Sequence, residues 1–302
     1  MKKLVFISLS ILVVLGIQFS CSTNETKDDT PRRGTKTMYA DESFQPLIKT
    51  ASEVFMGTYP DADLKMIYSS ETEAMKALSE GTARTIFTGR DYTKKEKKYL
   101  RSHNITVTSD IIAHDAIAFI VNLNNADTML TQDQIRDFLT GKSTTWPGSQ
   151  KPIEIVFDRV QSANFNYLLS WAGKDFGKQV HAAKNTEDLI KYLQENPNTL
   201  GIISYNHISD LDDPNVKIRL KKFHVAGIKG NDKYYWRPTK ANITEKKYPF
   251  WRPIWAINSG APDGLNTGFV NFLNSRQGQL LLEKCELGPG KGTPREINFI
   301  TE

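Results

Sequence analysis

The stretch from Ala113 to Trp146, AHDAIAFIVNLNNADTMLTQDQIRDFLTGKSTTW, constrains the fold more tightly than any other part of the chain. Ala116–Asn122 is apolar without alternation, the pattern of a strand covered on both faces. After a polar turn, Ile135, Phe138 and Leu139 fall on one side of a helix, and Gln132, Asp133 and Arg136 on the others. Thr131 and Gln134 have the spacing of a capping box, and Gly141 supplies the stop. A buried strand feeding an amphipathic helix is a repeating unit of α/β domains.

The alternation continues on either side. Strands are expected at Thr35–Ala40, Leu64–Tyr68, Thr85–Thr88, Ile153–Phe157 and Leu200–Tyr205. Helices are expected at Phe44–Gly57, Glu71–Ser79, Thr93–Ser102, Ala163–Trp171 and Thr186–Asn196. Val216–Ile257 is richer in strand and aromatic residues. Two helices, at Leu265–Asn274 and Gln277–Cys285, then precede a last strand at Glu296–Ile300. Such a chain builds mostly parallel sheets flanked by helices. A crossover near 115–122 and a return near 250–256 divide it into two lobes: residues 37–115 with 251–302, and residues 116–250.

Residues 1–20 read as a secretory signal, with Lys2 and Lys3 ahead of an apolar run from Leu4 to Phe19. That run is short for a membrane span. Cys21 follows directly, and STNETKDDTPRRGTK after it has the look of a lipoprotein junction, although Gln18 and Phe19 are larger than usual before the Cys. The expected product is exported and lipid-anchored through Cys21 to a bacterial membrane, on the periplasmic face, with residues 21–36 as a flexible tether. The alternative is an ordinary signal peptide that leaves Cys21 a free thiol. If Cys21 carries lipid, Cys285 has no partner, and its apolar setting makes it a small buried hydrophobe.

Charge narrows the function. The chain has 39 Lys and Arg, and without Lys2 and Lys3 the remaining 37 face 34 Asp and Glu. So small and scattered an excess argues against nucleic acid as partner. The five His are scattered without metal-ligand spacing, so neither metal nor cofactor is expected. No G-x-S-x-G elbow is present. Gly288–Thr293 has the wrong spacing and context for a phosphate loop. The aromatic group Tyr234, Tyr235, Trp236, Tyr248, Phe250, Trp251 and Trp255 reads first as packing between strands, and second as a stacking platform.

In parallel α/β sheets, ligands gather at the carboxyl ends of strands, where helix N-termini present free N–H groups. Four strand ends here run into hydroxyl or small residues: Ala40–Phe44, Tyr68–Glu71, Phe87–Asp91, and Phe157–Arg159 with Ser162–Asn164. Each alone is ordinary capping. Four in one chain, two of them with an Arg, suggest convergence on an anion, since a tetrahedral oxyanion needs many donors and a cationic fork. Charge-assisted bonds of roughly 1.5–3 kcal/mol each could hold it. A carboxylate that accepts the proton of hydrogenphosphate would reject sulfate, and Asp41, Asp91, Asp115 and Asp158 are all candidates.

Several blocks, in order, resemble the phosphate-binding proteins of ABC transporters, a lipoprotein branch of the type II periplasmic binding proteins. Besides Ile117–Asn122 and Leu130–Trp146 they include ADESFQPLI, YPDADLKMIYSSETEAMKAL, TGRDYTKKE, IVFDRVQSANFNYLLSW, NTEDLIKYLQENPNTLGIISYNHISD and YYWRPTKANITEKKYPFWR. The resemblance implies two α/β lobes closing on the ligand, with phosphate handed to an ABC permease, no chemistry on it, and a monomeric binder. By position it carries the ligand contacts onto Ser43, Ser69, Thr88, Arg90, Asp115 and Ser162. The chain departs from the family at Ser162-Ala163-Asn164, where a hydroxyl is lost, at Asn166, where an Arg is common, and at Gly89-Arg90, in place of Ser-Asp. Arg159 and Asn164 are the substitutes. Two competing readings remain: an adhesion or assembly lipoprotein that keeps the fold without a competent anion site, and, weakest, an enzyme acting on phosphate esters.

Overall fold

The computed structural model describes residues 29–173 and 175–291. The leader, Cys21 and the strand expected at Glu296–Ile300 lie outside the described residues. In chain order the elements open with β1 (Gly34–Asp41), α1 (Gln45–Thr58), β2 (Ala62–Ser69), α2 (Glu71–Ser79), β3 (Thr85–Thr88) and α3 (Lys94–Ser102). Next come β4 (Thr108–Asn122), β5 (Met129–Leu130), α4 (Gln132–Leu139), β6 (Glu154–Phe157), α5 (Ala163–Ala172), β7 (Val180–Ala182), α6 (Thr186–Glu195) and β8 (Thr199–Ser204). The chain continues through α7 (Pro214–Leu220), β9 (Phe223–Val225), β10 (Gly227–Lys229), β11 (Tyr235–Trp236) and α8 (Lys240–Thr244). It ends with β12 (Trp251–Asn258), α9 (Leu265–Asn274), α10 (Arg276–Lys284) and β13 (Gly288–Pro289).

The fold is α/β and two-lobed, and its sheets are mixed. The path runs β2-β1-β3-β12-β4-β8-β6-β7. Pairing is parallel between β1 and both β2 and β3, and between β6 and both β7 and β8. It is antiparallel wherever the crossing strands β4 and β12 take part. A chain that leaves one lobe and later returns has to run its two crossings in opposite directions, which accounts for the antiparallel middle.

β4 is longer than its apolar run foretold. Thr108–Ala116 pairs with β12, and Ile117–Asn122 pairs with β8 and β9. Its second half explains the missing alternation. Ile117, Phe119 and Val121 pack with Phe138, Trp146, Phe157 and Phe250. Ala118 and Ile120, on the opposite face, pack with Leu189, Leu193 and Ile203. The other lobe is covered on both faces too, by Met38, Phe55, Phe87 and Phe269 on one side and Leu78, Ile86 and Leu100 on the other.

Helix starts follow local chemistry. Thr131 and Gln134 close the expected capping box, and Ser70 with Glu73 and Thr93 with Glu96 form two more. The N-terminal segment is fastened to the body. Gly34–Lys36, read as the end of the tether, are already β1. Asp29 accepts from the Leu265 amide at 2.9 Å and pairs with Lys36 at 2.7 Å. Of the aromatic group, Tyr248 and Phe250 are core residues, the Tyr248 hydroxyl donating to the Ile117 carbonyl, whereas Tyr234 and Tyr235 are exposed. Cys285 is buried and unpaired, and burial pushes its thiol up to about 11. Among the described residues no helix is long and apolar enough to cross a membrane.

Candidate functional site

All four strand ends meet. The turn after β1 carries Asp41 and Ser43, the turn after β6 carries Asp158, Ser162 and Asn164, and α2 opens with Glu71 beside the turn after β3. All of these residues are buried. The Ser43 amide donates to Asp41 Oδ1 at 2.8 Å and the Ala163 amide to Asp41 Oδ2 at 3.1 Å, so the first carboxylate ties residues 122 apart. Asp158 Oδ2 accepts from Ser43 Oγ at 2.9 Å and Asn164 Nδ2 at 2.6 Å, and its Oδ1 from Ser162 Oγ at 2.8 Å and the Arg159 amide at 2.9 Å. Glu71 accepts from the Gly89 amide at 2.8 Å and Asn166 Nδ2 at 3.0 Å. The hydroxyls and amides at the centre of the cleft are thus already bonded to three carboxylates of the chain itself.

Arg252 lies beside them. It is register partner to Asp115 across β12 and β4, with Nη2 3.5 Å from Asp115 Oδ2. The side chain is 1% exposed, yet its Nε and Nη1 have no hydrogen-bond partner among the described residues. The guanidinium sits 4.9 Å over the Phe44 ring. A Cβ placed on Gly89 would stand 3.5 Å from Nη1, 3.3 Å from Glu71 Oε1 and 2.9 Å from the Ala163 Cβ, so the bare Gly89 backbone borders the same space. Asn164 Oδ1 is also buried without a partner. Buried N–H groups left unpaired are costly, and a guanidinium more so than an amide.

Asp115 accepts from Ser204 Oγ and from the Asn206 amide, and Asn206 Nδ2 reaches on to the Ser43 carbonyl. Burial raises the pKa of Asp115, opposed by Arg252, and raises that of Asp158, opposed by its hydrogen bonds to Ser162, Ser43 and Asn164. Asp41 is pushed up to about 7 by burial, then by the negative charges of Glu71 and Asp158.

The expected contacts divide. Ser43, Ser162, Asn164, Asp115, Asp41 and Asp158 come together. Arg90 turns outward and holds Glu96 through both terminal nitrogens, at 2.9 and 3.0 Å. Asp91 is bound to Lys97 and Ser109. Arg159 lies at the rim, paired with Glu42. Thr88 Oγ1 donates to the Arg90 carbonyl at 2.8 Å, and Ser69 Oγ to the Ser70 carbonyl at 3.2 Å, so both serve their own turns. Arg252 and the inward role of Glu71 escaped the sequence reading. A charged side chain inside the apolar return WRPIWAIN was the available signal.

A second opening, a groove of about 740 Å³, lies nearby between α1 and the start of α6. It is lined by Glu42, Glu53, Asp188, His207 and Arg219 among others. Arg219 is engaged by Glu187 and the His207 carbonyl. Burial and the Arg219 charge hold the His207 imidazole down to about 3, hence neutral at physiological pH.

Donors on two lobes around a buried cation describe a solute-binding protein, and residues 25–277 match the model of the PBP superfamily domain. The chain belongs to that superfamily. Among its relatives is the phosphate-binding protein PstS of Bacillus subtilis, 22% identical over 263 residues that span 84% of this chain and 80% of that protein. PstS of Staphylococcus epidermidis is 22% identical over 293 residues, 92% of this chain and 87% of the relative. The same fold occurs in a Clostridium perfringens protein of ABC-transporter substrate-binding type, solved with phosphate bound. Its TM-score is 0.71 at 22% identity, over 85% of this chain and 99% of the other. An ABC-type phosphate transport receptor from Vibrio cholerae gives a TM-score of 0.66 at 20% identity, over 85% and 100%.

Proposed function

We propose that this chain captures a tetrahedral oxyanion, phosphate first, between its lobes and passes it unaltered to an ABC permease. The reading rests on Arg252, a buried guanidinium whose Nε and Nη1 are unpartnered among the described residues and whose charge acts on Asp158, the acceptor of the Ser43 and Ser162 hydroxyls. A planar fork in a dry site binds an oxyanion bidentately. The phosphate-binding and phosphate-transport relatives suggest the ligand and the transporter. Ser43 and Ser162, now donors to Asp158, are the hydroxyls the ion would take over, with Asn164 Nδ2 beside them. Arg252 assumes the cationic role that the sequence reading gave to Arg90 and Arg159.

The hinge lies at the crossings, with lobe 1 formed by residues 37–115 and 251–302 and lobe 2 by residues 116–250. Closure is a shift toward the state in which both lobes contact the ion. The protein works as an exported monomer anchored by lipid on Cys21, and it is a binder without catalytic activity. Titration calorimetry with phosphate tests the reading. Binding at micromolar strength or tighter is expected, and Arg252→Lys, which keeps the charge and loses the fork, should weaken it at least about tenfold. Absence of heat with phosphate, arsenate and sulfate alike would turn the reading to an adhesion or assembly lipoprotein.

A further inference from the structure

We propose that oxyanion capture by this chain is coupled to proton uptake by the cluster Asp41, Glu71 and Asp158. The inference rests on the oxyanion reading and adds to it a change in protonation that the bare fold does not require. Its basis is the convergence of three carboxylates, from three separate turns, on the donors an anion would use. Ser43 Oγ, Ser162 Oγ and Asn164 Nδ2 are bonded to Asp158, the Ser43 and Ala163 amides to Asp41, and the Gly89 amide to Glu71. An arriving ion must take donors from these groups and then sit beside them.

Among the described residues, the surroundings offer one cation to relieve the charge. Arg252 faces Asp158 as well as Asp115, with which it shares its Nη2. Arg159, on the turn after β6, is held at the rim by Glu42, and its charge also reaches Glu73 on α2. Arg90, after β3, is held by Glu96. His207, below the turn after β1, is neutral and hydrogen-bonded to the Glu42 carbonyl. Tyr167, Tyr205 and Tyr248 all have raised hydroxyl pKa values from burial, so they add no charge near neutrality. A dianion would therefore have to part a buried cluster of Asp41, Glu71, Asp158 and Asp115 that, among the described residues, faces a single guanidinium.

A proton removes the conflict, because a carboxyl O–H donates to the ligand oxygen that a carboxylate would repel. Asp41 is the group placed to receive it. It accepts two backbone amides and feels the Ser43 side chain, whereas Asp158 accepts four donors, and burial, then the negative charges of Glu71 and Asp158, already hold it at about 7. A neighbouring anion pushes it higher still. The balance is one hydrogenphosphate and one proton from solvent entering the closed site. Whether the proton rests on Asp41 or on a phosphate oxygen does not alter the count.

The test is calorimetry of phosphate binding to the exported protein at about pH 8, in buffers of differing ionisation enthalpy, with Glu71→Gln alongside. Bulk phosphate is the same in both titrations, so the difference between them belongs to the protein. Wild type should take up about one proton per ion, and its affinity should fall nearly tenfold per pH unit between about pH 7.5 and 9. Glu71→Gln keeps an acceptor for the Gly89 amide while removing a charge beside Asp41. It should take up fewer protons and bind at least about fivefold tighter at the alkaline end. If that variant does not fold, Asp41→Asn serves instead and should lose the protein's share of the uptake. Binding without proton uptake, or equal uptake in wild type and variant, overturns the coupling and leaves the oxyanion reading standing. Absence of binding by any oxyanion removes both.

Discussion

The groove beside α1 and the buried cluster around Arg252 differ in the way that separates a groove from a site. The groove beside α1 is roomy, at about 740 Å³, and two of its charged residues are paired: Arg219 with Glu187, Glu42 with Arg159. The cluster around Arg252 is tight and dry, and there a guanidinium with unpartnered nitrogens stands beside carboxylates that hold its potential co-ligands. Volume is therefore a poor guide in this fold. An unmet donor in a low-dielectric setting has more free energy to gain from a ligand than an exposed, already paired charge has.

The largest test of that contrast is Arg252→Gln. It should lower phosphate affinity at least about a hundredfold, by the loss of two charge-assisted bonds. It should also lower stability, because Asp115 loses its buried partner. Unaltered affinity in a folded variant would break the comparison.

His207 gives a smaller effect, on stability alone. Its folded pKa lies far below the ordinary value, so its contribution is complete above about 6.5 and is lost as the pH falls toward 3. Asp41 has the opposite sign: its raised pKa makes its ionised form destabilising, so its contribution grows as the pH falls from about 7. Comparing wild type with His207→Gln isolates the first. The variant should escape roughly 2 kcal/mol of destabilisation between about pH 6.5 and 5, read from denaturant unfolding. A slope shared by both proteins would show that His207 is not the titrating group.

The smallest effects sharpen the comparison from the other side. Arg90→Ala, whose guanidinium is committed to Glu96, should move phosphate affinity less than about twofold. Glu53→Gln in the groove should do the same. A tenfold loss in either would relocate the anion.

What could be read in the sequence was what local chemistry decides. Thr131, Gln134 and Gly141 framed a helix correctly because capping needs only neighbours, and an unalternating strand revealed its two covered faces. Ser43, Ser162 and Asn164 lie together because strand ends in such sheets converge, whereas Asp115, inside β4, was nominated by the family resemblance. The arginines lie elsewhere than expected for a reason local reading could not see. Arg90 has Glu96 one helical turn inside α3, a nearby partner that draws it outward, whereas Arg252 meets Asp115 only through pairing across 137 residues. Glu71 was read as part of a helix start. Its approach to Gly89 and Asn166 depends on the other strands being in place.

The clasp at Asp29, bonded to the Leu265 amide and to Lys36, fastens the start of the described residues to the body. On the proposed acylation of Cys21, residues 22–28 separate the lipid from that clasp in sequence. Fully extended, the span from Cys21 to Asp29 covers no more than about 28 Å. A body so anchored would patrol a thin shell above the bilayer, about the thickness of one small domain. Its local concentration at a permease in the same membrane would be correspondingly high.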